Sequence, residues 1–166
     1  MAFADTYSAS EPDWSRETPR RWWDPSRRLL RAIRKYQAAS GPLAPLVRRY
    51  RVLQHRFWSM VSGAEIPINA RIGGGLHLPH PNGVVVHPKS EIGCNCLLFQ
   101  QVTIAGGARI GGHVDVGAGA KVLGPSVVGN HVQIGANAVV KGDLPDGAVA
   151  VGIPARIVAM EDVPQE

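Results

Sequence analysis

Four histidines and two cysteines are the side chains whose chemistry is worth tracing first. His80 lies in the segment LPHPNG, His87 precedes Pro88, and His113 and His131 stand eighteen residues apart. Imidazole changes charge close to neutral pH, so each ring could move a proton or, when neutral, bind a metal. His87, beside Pro88, reads as a turn residue. Zinc on His113 and His131 would need a third ligand, and the position eighteen before His113 is Asn95, so the pair reads as solvated corner residues. Cys94 and Cys96 are too close to staple the chain and lack the second pair of a zinc site. They read as reduced thiols in packed positions, and no metal is expected. His80 is left as the histidine to place, and it sits where the surrounding pattern breaks.

That pattern is a repeat. Aliphatic residues recur every six positions at Val86, Ile92, Leu98, Ile104, Ile110, Val116, Val122, Val128, Ile134 and Val140. Four positions after each comes a small or apolar residue, from Ser90 and Cys96 through Ala138 to Leu144, and glycine often follows directly, as at Gly93, Gly111 and Gly129. Ile66, Ile72 and Leu78 keep the same period upstream, but the register slips by two between Pro79 and Val86, which predicts a loop or widened corner there. A period of six is neither helical nor that of a two-faced strand. It suits a coil of three short strands per turn, with aliphatic residues inward and small residues at the corners. Residues eighteen apart then stack about 4.8 Å from one another.

The elements ahead of the repeat differ in character. Ser26 to Ala39 carries Leu29, Leu30, Ile33 and Tyr36 on one helical face, with Arg28, Arg31 and Lys35 around the other. Gly41-Pro42 breaks it, and a second helix from about Leu43 to Val61 places Leu46, Val47, Tyr50, Leu53, Phe57, Trp58 and Val61 at helical spacing, ending at Gly63. The organisation expected is an extended tail over 1–25, a helical arm over 26–62, the coil over 63–158 and a C-terminal tail over 159–166. At 166 residues this is one folding unit with appendages. Eleven Lys or Arg residues fall between Arg20 and Arg56 with Asp24 the only acid, so the net charge of +5 belongs to the arm. Such a segment suits an anionic lipid surface or an acidic partner; nucleic acid is not expected. Neither an 18-residue apolar run nor a basic-then-apolar leader is present, which predicts a cytoplasmic protein, peripheral at most to the inner face of the membrane.

The segments LPHPNGVVVHPKSEIGCNCLLFQQVTIAGG, VDVGAGAKVLGP and VGIPARIV closely resemble the serine acetyltransferase branch of the hexapeptide-repeat acyltransferases, from about Arg49 to Val158. The resemblance implies a mainly β fold, a left-handed parallel β-helix with a short N-terminal α-helical arm, assembled as a homotrimer. It also implies acetyl-CoA as acyl donor, lying in a groove between two β-helices along Ala118 and Ala136, with Gly106, Gly107 and Lys121 on the same surface. An alcohol attacks a thioester only with help from a base. The resemblance gives that role to His80, oriented by a carboxylate fifteen residues earlier, which is Glu65.

Two departures from the family bear on the acceptor. Pro79 stands where the family has an Asp that helps hold the substrate amine. No loop carrying an Arg and a second His follows Ile104-Ala105-Gly106-Gly107, because the period runs straight on through Ala108, Arg109 and Ile110. The chain also resembles short acetyltransferases of polysaccharide assembly. The expectation is therefore O-acetyl transfer to a hydroxyl of a sugar or glycan precursor, with serine as the alternative and a non-catalytic or metal-binding β-helix as the second alternative.

Overall fold

The computed structural model describes residues 7–163. Two helices lead, α1 (Pro25–Gln37) and α2 (Ala44–Ser62), and thirteen strands follow. Eleven of these have two residues each: β1 (Arg71–Ile72), β2 (Val85–Val86), β3 (Glu91–Ile92), β4 (Leu97–Leu98), β5 (Thr103–Ile104), β6 (Arg109–Ile110), β7 (Asp115–Val116), β8 (Lys121–Val122), β9 (Val127–Val128), β10 (Gln133–Ile134) and β11 (Val139–Val140). β12 (Ala148–Val151) and β13 (Arg156–Met160) are longer. They stack into three sheets, β1-β3-β6-β9, β13-β12-β10-β7-β4 and β11-β8-β5-β2, parallel except for the β12–β13 pair.

This is the coil that the period of six predicts, and its register shows where the period is broken. Paired residues are twenty apart in the first coil (Ile72 with Ile92), eighteen in the middle (Ile92 with Ile110) and sixteen in the last (Ile134 with Ala150). The two extra residues fall in the Pro79–Gly83 segment, where the widened corner was expected. The two missing ones fall after Val140, so Leu144 does not continue the small-residue series but pairs with Val128. The core is a column of inward aliphatics, with Leu98, Ile104, Val116 and Val122 all at 0% exposure. At most corners the third residue after the aliphatic takes a left-handed backbone, Gly107 and Gly119 in some coils but Asn95, Gln101, His113, His131 and Asn137 in others.

α1 begins at Asp24-Pro25, a favoured helix start because proline has no N–H to leave unpaired. Its buried Leu29, Leu30 and Ile33 close the mouth of the coil against Ala64, Ile66 and Leu76. α2 ends where Gly63 takes a left-handed φ of 68° and its N–H donates to the Ser59 carbonyl. Among the described residues no helix is long and apolar enough to cross a membrane.

The segment preceding α1 lies against the coil rather than away from it. Asn95 organises the contact: its Oδ1 accepts from the Asp13 N–H at 2.8 Å, and its Nδ2 donates to the carbonyls of Ser8 and Glu11 at 2.8 Å each. Arg16 donates to the Asn95 carbonyl, and Glu17 binds both Arg34 and the Leu76 N–H. A 3-10 turn at Trp14–Arg16 carries the chain round this corner. The tail expected over 1–25 falls partly outside the described residues, at 1–6.

Candidate active site

His80 is exposed, on the two-residue expansion of the first coil. The turn there is held by the Val84 N–H on the Pro81 carbonyl and by the Gln101 N–H on the Asn82 carbonyl. The expansion belongs to the corner that leads from the second sheet to the third. One coil on, that corner is Phe99-Gln100-Gln101, then Gly117-Ala118-Gly119, then Gly135-Ala136-Asn137. Adjacent members are tied by the Gly119 N–H on the Gln100 carbonyl and the Asn137 N–H on the Ala118 carbonyl, both at 2.8 Å. His80, Ala118 and Ala136 therefore share one column, with His80 and Ala136 about 14 Å apart at three coil spacings. Gln100 lies between them, a residue that the sequence did not single out. Its side-chain oxygen is shut off from solvent and has no hydrogen-bond donor among the described residues.

The other expected site residues lie as follows. Glu65 is exposed and in register with Val85 at the edge of the third sheet. Among the described residues it makes no hydrogen bond or ion pair with His80. Lys121 reaches from β8 to the Gln101 carbonyl, at the same corner column. Gly106 and Gly107 are on the next corner, where the His87 ring lies only 2.8 Å from where a Gly106 side chain would begin. His87 accepts the Lys89 N–H on Nδ1 and the Ser90 hydroxyl on its carbonyl, the geometry of a turn residue. His113 and His131 stack as their spacing implies, with Nδ1 atoms 2.8 Å apart in a direct hydrogen bond. Cys96 is buried, and desolvation pushes its thiol up to about 12, which leaves it unreactive.

A cavity of about 470 Å³ opens beside His80. The coil supplies His77, Leu78, Pro79, Pro81 and Asn82, α2 supplies Val61 and Ser62, α1 supplies Arg27, and the docked leading segment supplies Arg20, Arg21, Trp23 and Asp24. Asp24 pairs with Arg27 at 3.6 Å and accepts the Arg20 N–H at 3.1 Å. Charge of both signs thus reaches the cavity from residues more than fifty positions away in sequence. The only sequence signal for this was the Asp24-Pro25 helix start; what carries Arg20 and Arg21 to His80 is the docking on Asn95, a tertiary event.

His77 sits in the outward row of the second sheet, where it pairs with Leu97. Burial, then the charges of Arg16, Arg27 and Arg20, hold its ring down to about 4, so it is neutral at pH 7. The folded chain binds this proton less tightly than the unfolded chain, whose histidine titrates near 6.5. His77 therefore contributes fully above about pH 6.5, and that contribution is lost as pH falls toward about 4. Melting temperature should drop across this window, and less steeply in His77→Gln; equal slopes would place the titration elsewhere.

No family model matches the chain. It is 40% identical over 116 residues to serine acetyltransferase from Synechococcus elongatus, an overlap of 65% of this chain and 47% of the relative. Solved serine acetyltransferases share the architecture. One in complex with CoA has a TM-score of 0.69 and 30% identity over 82% of this chain and 57% of the other. The soybean enzyme complexed with serine has a TM-score of 0.66 and 31% identity over 81% and 56%. The coil is serine acetyltransferase-like. The fold is accordingly the left-handed parallel β-helix with a helical arm that the sequence led us to expect. The chain spans about half the length of the first curated relative it matches.

Proposed function

We propose that this protein is an acetyl-CoA-dependent O-acetyltransferase acting on a small hydroxyl acceptor, with L-serine foremost. The observation that carries the proposal is the single corner column from Ala136 through Ala118 and Gln100 to His80. The small side chains of Ala136 and Ala118 leave a narrow track for the pantetheine arm, and the column leads the thioester end to an exposed imidazole beside a cavity. His80 takes the acceptor's proton as the hydroxyl oxygen attacks the acetyl carbonyl, and the thiolate of CoA leaves when the tetrahedral intermediate collapses. Glu65 is the proposed positioning carboxylate, through a shift of either side chain when substrate is present. Closing the groove requires a second copy of the chain, hence the homotrimer we propose, with Lys121, Gly106 and Gly107 along its walls.

Serine displaces the sugar acceptor as first choice for two reasons. One solved relative holds serine and the matched curated relatives are named for it. The cavity also offers charges that the Pro79 position and the missing loop do not: Arg20 and Arg21 can meet a carboxylate, and Asp24 can meet an ammonium group. Burying either charge without a partner would cost several kcal/mol in discrimination. Purified full-length protein with acetyl-CoA should therefore acetylate L-serine, and Arg20→Gln/Arg21→Gln should raise KM for serine about tenfold or more with kcat little changed. A panel in which a hexose or nucleotide sugar is acetylated and serine is not would return the assignment to the glycan reading.

A further inference from the structure

Between α1 and α2, Arg28, Arg31 and Arg51 line a cavity of about 130 Å³ together with Ala32, Gln54 and Trp58. None of the three pairs with a carboxylate among the described residues, whose ion pairs engage Arg27, Arg34 and Arg71. The Nε–H groups of Arg28 and Arg51 are shut off from solvent and have no acceptor. Arg31 is exposed and Arg51 also donates to Gln54; an anion with several oxygens would satisfy the two orphaned Nε–H donors, and a phosphate matches guanidinium geometry.

The neighbouring surface indicates where that phosphate comes from. α2 and the Leu43 before it turn apolar residues outward: Leu43, Leu46, Tyr50, Leu53 and Met60 are 66, 63, 55, 65 and 77% exposed. An aromatic chain of Trp22, Trp23, Trp58 and Phe57, in successive ring contact, runs from the leading segment to the edge of the three-arginine cavity. A second copy brought against this face by a two-fold axis would oppose two sets of arginines. An anionic bilayer neutralises them and takes up the apolar residues as well.

We propose that the α1–α2 hairpin docks on anionic phospholipid, with a headgroup phosphate in the Arg28–Arg31–Arg51 cavity and the outward face of α2 in the acyl boundary. The proposal stands apart from the acyl-transfer reading. Full-length protein should float with phosphatidylcholine vesicles containing phosphatidylglycerol at low salt, and not with phosphatidylcholine alone. Arg28→Gln/Arg31→Gln/Arg51→Gln should weaken partitioning on the order of 100-fold. Leu53→Asn, at an exposed position that does not test the fold, should weaken it separately. Both variants should keep wild-type acetyl transfer in solution. Failure of the wild type to float, or unchanged flotation of the triple variant, would overturn the proposal. So would inorganic phosphate raising the melting temperature of the wild type alone without vesicle association, since the cavity would then take a soluble phosphate.

Discussion

His80→Ala should lower acetyl-transfer turnover on the order of 10²- to 10⁴-fold, the range for loss of a positioned base. Acetyl-CoA affinity should hardly change, because the track that would bind the donor runs away from His80 through Gln100, Ala118 and Ala136. Steady-state kinetics with donor binding measured separately distinguishes the two effects. Turnover within a few-fold of wild type would remove His80 from the chemistry, leaving the neutral His77 in the same cavity as the next base to test. Glu65→Gln should cost less than His80→Ala. Among the described residues its carboxylate does not pair with the imidazole, so only the part of its effect that appears with substrate bound can be lost.

A second large effect is expected far from that cavity. Gly73, Gly93, Gly111 and Gly129 follow the inward aliphatics of the first sheet, and each lies against the next coil. A side chain begun at Gly93 would stand 2.4 Å from the Gly111 carbonyl oxygen and 2.6 Å from the Gly112 nitrogen. These are backbone atoms fixed by the ladder and cannot rotate away. Gly93→Ala should cost about 3 kcal/mol, which at this chain length lowers the melting temperature by about 6 to 12 °C. Calorimetry or circular dichroism on the purified variant would measure it. A melting point within about 2 °C of wild type would show that the coils can separate locally without breaking their hydrogen bonds.

The coil was legible because one physical requirement repeats at every turn: an aliphatic must point inward where three short strands meet. Even the slip before Val86 could be located, since Ile72 and Leu78 keep the period on one side and Val86 and Ile92 on the other. The shortening after Val140 was not, because Leu144 satisfies both the small-residue series and the aliphatic one. The cavity beside His80 was half legible. His80 follows from motif and register, whereas Arg20, Arg21 and Asp24 reach it only because Asn95 holds the leading segment through three side-chain hydrogen bonds. Nothing periodic marks Asn95 as the residue that does this. In α2 the spacing gave a coherent apolar face but no direction, and the face turned out to point outward.

The last strand runs against all the others. A parallel coil offers an unfinished edge at each end, onto which another coil of the same hand could be added indefinitely, as in a fibre. At one end β13 pairs antiparallel with β12 and presents a reversed edge. At the other, Arg34 takes up the carbonyls of Ile72 and Gly73, and Gln37 those of Ile68 and Ala70. In-register addition of another parallel coil is therefore opposed at β12 by the reversed strand and at the first coil by the helix side chains that hold its carbonyls.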